Sequence, residues 1–277
     1  MLTDALAQQL ADAIAAADAL VITAGAGMGV DSGLPDFRGG EGFWRAYPPF
    51  AKLGLRFEQL ANPRWFREDP ALAWGFYGMR LHSYRTTTPH AGFAILRRWA
   101  ENGRKGAYVY TSNVDGAFQK AGFDEDRILE VHGTIHQLQC LNECGMAPFS
   151  SDPYDVTIDP ETLRALPPLP SCPSCGGLAR PNILMFGDAD WDNRRSFAQS
   201  QRMTAWCRSL AELKIVVIEC GAGTAVPTVR MFSEQLVDLF HAFLIRINVR
   251  EPETPEGIGI AAGARETLQR IDAVLVR

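Results

Sequence analysis

A chain of 277 residues with 47% apolar and 21% charged side chains can bury a sizeable core in one or two domains and is not disordered by composition. Its formal net charge of -5 offers no general field for nucleic acid or anionic lipid, and no apolar run approaches the roughly 20 residues that span a bilayer. Asp4 and Asp12 stand where a secretory signal would be basic, so the expectation is a soluble, cytoplasmic protein with neither a nucleic-acid nor a membrane partner.

Leu6, Leu10 and Ile14 recur at helical spacing in an Ala-rich stretch and predict an amphipathic helix over 4–17. Ala19-Leu20-Val21-Ile22-Thr23 is an apolar run of the kind that forms a fully buried parallel strand, and it leads into the glycine turn Gly25-Ala26-Gly27. Helix, strand and glycine turn together open a dinucleotide-binding fold. The fingerprint is incomplete, since position 30 is Val30 and a loop, Asp31 to Gly40, replaces a second strand ending in an acidic residue. A hydride-transferring dehydrogenase is therefore disfavoured. Arg38 in that loop suits a pyrophosphate with its guanidinium fork, the alternative being a simple pair with Asp36.

Residues 40–89 are rich in aromatics, lack strand alternation and predict a mostly helical insertion with Pro70 and Pro89 near helix starts. Arg97, Arg98, Arg104 and Lys105 read as a solvated helix end rather than a binding patch. Buried strands are expected at 107–111, ahead of Ser112-Asn113-Val114-Asp115, and at 128–131, ahead of His132-Gly133. Core-like runs resume at 182–186, 214–219 and 242–248, and a helix closes the pattern at 264–275. The class is α/β: a Rossmann-like parallel sheet flanked by helices, built from 1–39, 90–138 and 181–277, with the helical insertion 40–89 and a small inserted module at 139–180.

That module holds Cys140, Cys144, Cys172 and Cys175, two close pairs far apart in sequence. Two cysteine pairs on two turns supply the four tetrahedral ligands that zinc needs, and four thiolates leave no open position, so the metal would be structural. Buried free thiols are the competing reading, which the spacing disfavours. Cys207 and Cys220 lie in apolar runs and read as core residues.

The run Gly25-Ala26-Gly27-Met28-Gly29-Val30-Asp31-Ser32-Gly33-Leu34-Pro35-Asp36-Phe37-Arg38-Gly39 resembles the first NAD-binding motif of the sirtuin family nearly end to end. Thr111 to Gly116 is similar to its second motif, Val131-His132-Gly133 to its catalytic histidine motif, and Cys140 falls where the family has its first zinc ligand. Arg180 to Asp188 resembles the segment lining the acyl-lysine tunnel. The resemblance runs from residue 20 to 265 in order. It departs at Ser112, Phe118, Gly29, Gly221-Ala222-Gly223-Thr224 and Ala189-Asp190-Trp191.

The resemblance implies an NAD-dependent protein-lysine deacylase that transfers the acyl group to ADP-ribose and releases nicotinamide, with NAD as cosubstrate and a structural Zn2+. His132 would be the general base, with Asn113 beside it; a neutral imidazole is available near its ordinary value of about 6.5. Asn113 and Asp115 would face the nicotinamide, Ala26, Phe37 and Arg38 would serve the ribose and phosphates, Ser112 stands at a ribose-contacting position, and Gly25, Gly27, Asp36 and Val114 would be further cofactor contacts. Gly221, Ala222, Asn248, Gly263 and Ala264 would complete the cofactor contacts. Met185, Phe186 and Gly187 would border the acylated-lysine protein, whose backbone adds as a strand. Tyr77 and Arg80, three apart on a helix, match a pair that binds acidic acyl groups in some sirtuins, or else belong to a packing helix with a surface arginine. Protein ADP-ribosyl transfer, NAD hydrolysis and a non-catalytic NAD-binding role are the alternatives. Gly39 to Gly42 would hinge a loop that orders on NAD binding.

Overall fold

The computed structural model describes residues 2–36 and 54–276. Six strands form one parallel sheet: β1 (Ala19–Ala24), β2 (Ala107–Thr111), β3 (Ile128–Glu130), β7 (Ile215–Cys220), β8 (Phe243–Ile247) and β9 (Ile258–Ile260). Their order is β3-β2-β1-β7-β8-β9. The chain runs outward from β1 one way and from β7 the other, so the order reverses between these two. In an open parallel sheet such a reversal opens a crevice beyond the carboxyl ends of the strands, and ligands bind there.

β1 and β7 are buried at every residue because helices cover both faces. Leu20 and Ile22 point to one face, packed with α1 (Asp4–Ala15), α5 (Ala91–Asn102) and α9 (Ala264–Leu275) through Leu10, Trp99 and Leu268. Val21 and Val217 point to the other, against α7 (Arg194–Arg208) and α8 (Thr228–Phe240) through Trp206 and Leu236. Thr3 caps α1 by accepting the Leu6 amide, and the helix stops at Ala15, short of the expected 17. Helix α5 follows Pro89 and carries Arg97 and Arg98 near its end, as the sequence led one to expect, whereas α7 and α8 have no forerunner in the sequence reading.

A second sheet of three antiparallel strands has the order β5-β4-β6, with β4 (Gly133–Cys140), β5 (Phe149–Ser150) and β6 (Ala179–Ile183). This corrects the expectation that a run at 182–186 joins the parallel sheet. The strand spans 179–183 and pairs antiparallel with β4, Cys140 opposite Ala179, because it is the return strand of the cysteine module. The expected limits of that module, 139 and 180, fall inside β4 and β6.

Between the sheets lie the short helices α2 (Phe57–Leu60) and α3 (Trp65–Glu68) and the long α4 (Pro70–Thr86). Asp69 caps α4 by accepting the Leu72 amide, with Pro70 at its first position. Gly75 and Gly78 let α4 lie flush on the module: a Cβ on Gly75 would sit 1.9 Å from the Leu163 carbonyl oxygen, and one on Gly78 2.8 Å from Val156. The short α6 (Ala117–Lys120) follows β2. Among the described residues no helix is long and apolar enough to cross a membrane.

Candidate active site

The glycine turns after β1 and β7 meet at the switch point. The Gly27 amide donates to the Gly221 carbonyl at 3.0 Å, and a Cβ on Gly25 would lie 2.8 Å from the Ala222 backbone. Only glycine allows two turns to close this tightly, and backbone left bare is what a pyrophosphate needs for close approach. Asn113 ties in the third turn, after β2: its Nδ2 donates to the Gly25 carbonyl at 2.9 Å.

Beyond these turns opens a cavity of about 660 Å³ that runs between the two sheets. Gly25, Ala26, Asp36 and Ala222 line one end, Ser112 to Asp115 and His132 the middle, and Tyr77, Arg80, Met185 and Phe186 the far wall. Three predicted groups thus share one space. Gly27, Gly221, Gly187, Asn248, Gly263 and Ala264 stand outside the lining. Asn248 works from behind: its Nδ2 holds the Ala222 carbonyl at 2.6 Å while its Oδ1 accepts the amides of Arg250 and Glu251. Gly263 precedes α9, beside the Asp31 carboxylate. Phe37, Arg38 and the expected hinge at 39–42 lie outside the described residues; Asp36 is paired with Arg250.

His132 follows β3, and burial pushes its imidazole below the ordinary 6.5, partly offset by its bond to the Ser112 backbone. Asp115 is buried too, which raises its carboxyl against the stabilising Ala117 amide. His136, which the sequence did not single out, donates from Nε2 to the Asp115 carbonyl, 2.9 Å away.

Arg80 is 5% exposed, which overturns the reading of a surface arginine. Its guanidinium lies 5.4–5.9 Å from the ring centres of Phe57, Phe76, Tyr77 and Tyr84 and donates twice to the Tyr84 hydroxyl, at 2.9 and 3.2 Å. The buried Tyr77 hydroxyl has no partner among the described residues, and burial pushes it up to about 12. Tyr84 was missed, although its spacing of four from Arg80 on one helix is a readable signal. Arg250 and Glu251, at the opposite end, had no signal beyond following Asn248.

The four cysteine sulfurs lie within 4.8 Å of one another, with Cys140–Cys175 and Cys144–Cys172 each at 3.6 Å. Zinc–sulfur bonds of about 2.3 Å in a tetrahedron put sulfurs about 3.8 Å apart, so the donor set and its spacing fit a closed zinc site. None of the four cysteines lines the cavity.

The sequence model of the Sir2 family matches residues 25–210. A Pyrococcus furiosus protein named NAD-dependent protein deacylase is 33% identical over 204 residues, 73% of this chain and 70% of that protein. An Aquifex aeolicus protein of the same name is 34% identical over 170 residues, and one named NAD-dependent protein deacylase 2 from Pyrobaculum aerophilum is 36% identical over 180. The chain spans 62% and 63% of the length of these last two and covers 61% and 65% of itself. Among solved structures, a Sir2 homologue in complex with NAD aligns with a TM-score of 0.72 at 25% identity, covering 97% of this chain and 93% of that one. A mutant Sir2 homologue bound to ADP-ribose gives the same score and identity, covering 97% and 96%.

Proposed function

The chain belongs to the Sir2 family, and from that premise we propose that it is an NAD-dependent protein-lysine deacylase that prefers an acidic acyl group. The observation that carries the proposal is the single cavity joining the glycine turns, His132 and Arg80. NAD supplies a ribose whose bond to nicotinamide can be exchanged for a bond to the acyl oxygen.

The chain's own residues then have these parts. The bare turns at Gly25 and Ala222 take the pyrophosphate side. Asp115 accepts from the nicotinamide carboxamide, and Asn113 holds the Gly25 turn against the cofactor while presenting its oxygen to the ribose. His132 removes the proton of a ribose hydroxyl. Because burial depresses its imidazole, it is neutral at pH 7, and transfer should fade only as the pH drops below the ordinary 6.5. The acylated lysine of a protein enters past Met185 and Phe186. Its acyl carboxylate would join Tyr84 on Arg80 and receive the Tyr77 hydroxyl, giving that hydroxyl the partner it lacks. The reading keeps a cofactor-binding part, a helical insertion and a zinc module, the last taken from 133 to 183 so that its strands stay whole.

Incubation with NAD and acetyl-, succinyl- or unmodified-lysine peptides tests this, with nicotinamide and acyl-ADP-ribose followed by mass spectrometry. Peptide-dependent acyl-ADP-ribose, faster with the succinyl peptide, is expected. Nicotinamide released alone, or with labelled protein, would replace the proposal by NAD hydrolysis or ADP-ribosyl transfer.

A further inference from the structure

His132 stands at the junction of the two sheets. β3 ends at Glu130 and β4 begins at Gly133, so two residues of linker set the imidazole, and its place depends on what grips the chain on either side.

The upstream grip comes from one helix. β3 is an edge strand, paired with β2 alone, and its outer peptide groups would otherwise lack partners. Side chains of α7 stand in for the missing strand. Ser196 Oγ donates to the Glu130 carbonyl at 2.8 Å, and the Glu130 amide donates to Gln199 Oε1 at 3.1 Å. Arg195 lies 2.6 Å from the Glu130 carboxylate, an ion-pair contact rather than an aligned hydrogen bond. Glu130, Ser196 and Gln199 are all buried.

The downstream grip comes from the segment leading into the same helix. Gln139 Nε2 on β4 donates to the Asp190 carbonyl at 2.8 Å, and the Asp192 amide donates back to Gln139 Oε1 at 3.1 Å. Asn182 on β6 donates to the Asp192 carbonyl at 2.8 Å. Trp191 closes on Gly133: with φ at +74, a Cβ there would sit 2.1 Å from the Asn182 carbonyl oxygen and 3.3 Å from Trp191 Nε1. This gives a physical role to Ala189-Asp190-Trp191, a stretch where the chain leaves the sirtuin pattern.

We propose that residues 188–199 form a positioning clamp for His132, holding Glu130 before it and Gly133 and β4 after it so that the imidazole stays at the cavity wall. These are positioning residues, since none of them lines the cavity. The kinetic consequence rests on the deacylase reading, in which His132 acts after nicotinamide has left. A loosened clamp should spare nicotinamide release and weaken the step that follows.

The test is a Ser196→Ala/Gln199→Leu double variant, with Ser196→Ala alone as the milder version and Ser196→Thr as the rescue. Two readouts are taken on the whole chain. The first is NMR titration of the histidine Cε1 protons, five in all, with His132 identified by its loss in His132→Asn. In the variant its midpoint should rise toward the ordinary imidazole value as water reaches the ring, while buried His90, held by Met28 and Gly92, stays put. The second is the ratio of acyl-ADP-ribose to nicotinamide in a single turnover. It should fall about tenfold or more, as expected for a catalytic group displaced by about 1 Å, and Ser196→Thr should restore most of it.

An unmoved His132 titration overturns the clamp, as does a joint shift of His132 and His90, which would mean general loosening. Equal losses of nicotinamide and acyl-ADP-ribose overturn it as well. If the wild-type chain makes no acyl-ADP-ribose from any peptide, the deacylase reading fails, and the titration alone decides the clamp.

Discussion

The parallel sheet and the cysteine module are built on different physics. The sheet is held by burial on both faces: β1 and β7 are apolar nearly throughout, and two separate clusters of side chains pack above and below them. The module has no such core. β5 is two residues long, β4 carries a bulge, and the buried apolar groups Leu138, Leu163 and Ala165 belong to a cluster shared with α4. Polar ties supplement it, among them four thiols, the Arg164–Asp69 pair, Trp74 Nε1 on the Ala179 carbonyl, Arg85 on the Ser151 and Tyr154 carbonyls, and the contacts of Gln139 and Asn182 with residues 190–192. The cofactor end of the cavity therefore stands on a self-sufficient scaffold. The Arg80 end, carried by α4 and proposed to take the acyl group, leans on a module whose four cysteines fit a structural zinc.

That contrast breaks most directly at the thiolates. Cys172→Ser, or strong chelation, removes a site whose zinc supplies about 10–16 kcal/mol of folding free energy in small zinc modules. Deacylation of every peptide should vanish while circular dichroism still reports a cooperative melt of the parallel sheet. Full activity in a protein shown to be zinc-free would erase the distinction. Leu20→Ala attacks the other side. It should cost about 2.7–5 kcal/mol, seen as a lower denaturation midpoint, through lost burial and a residual cavity in β1. Below that midpoint the ratio of succinyl to acetyl turnover should hold, and a changed ratio would mean the two regions are not separable in this way. Arg80→Met is smaller again and confined to the acyl end. Losing charge-assisted hydrogen bonds of about 1.5–3 kcal/mol should slow the succinyl peptide about 10- to 100-fold and leave the acetyl peptide nearly untouched. Equal losses on both would assign Arg80 to packing.

The same contrast explains what could be read in advance. The strands of the parallel sheet announce themselves as short apolar runs because both their faces are buried, and 107–111 matches to the residue. β4 does not: Thr134, His136, Gln137 and Gln139 interrupt its apolar positions, since Gln139 ties to the segment before α7 and His136 to Asp115. Helix α7 was passed over for a related reason. α7 buries Ser196 and Gln199 toward Glu130, so its inward face reads as polar. At the site, the residues clustered in motifs were legible. Tyr84 was within reach by helical spacing, whereas Arg250, Glu58 and Phe57 reach the cavity only through chain packing that no local pattern encodes.

The smallest effect probes the seam between α4 and the module. Asp69 joins them: its Oδ1 caps α4 through the Leu72 amide at 3.2 Å, and its two oxygens take Arg164 of the module at 2.6 and 2.7 Å. Asp69→Ala should cost about 1 kcal/mol as a lost cap. The ion pair adds little, because Arg164 is 47% exposed and salt screens it. Asp69→Asn can keep the cap through its Oδ1 while removing the charge and one of the two acceptors that Arg164 uses, so it isolates the pair with Arg164. The Arg164 guanidinium first, and the Leu72 amide after it, hold the Asp69 carboxyl below 3.8 against the opposing cost of burial. A depressed carboxyl stabilises the fold above its ordinary value and loses that contribution as the pH falls through its folded value. The gap between wild type and Asp69→Asn in urea midpoints should therefore be flat from pH 5 to 8 and close on acidification below about 4. A gap that widens in acid would mean that the carboxyl is not stabilised by Arg164, and that the module rests on α4 through packing and metal alone.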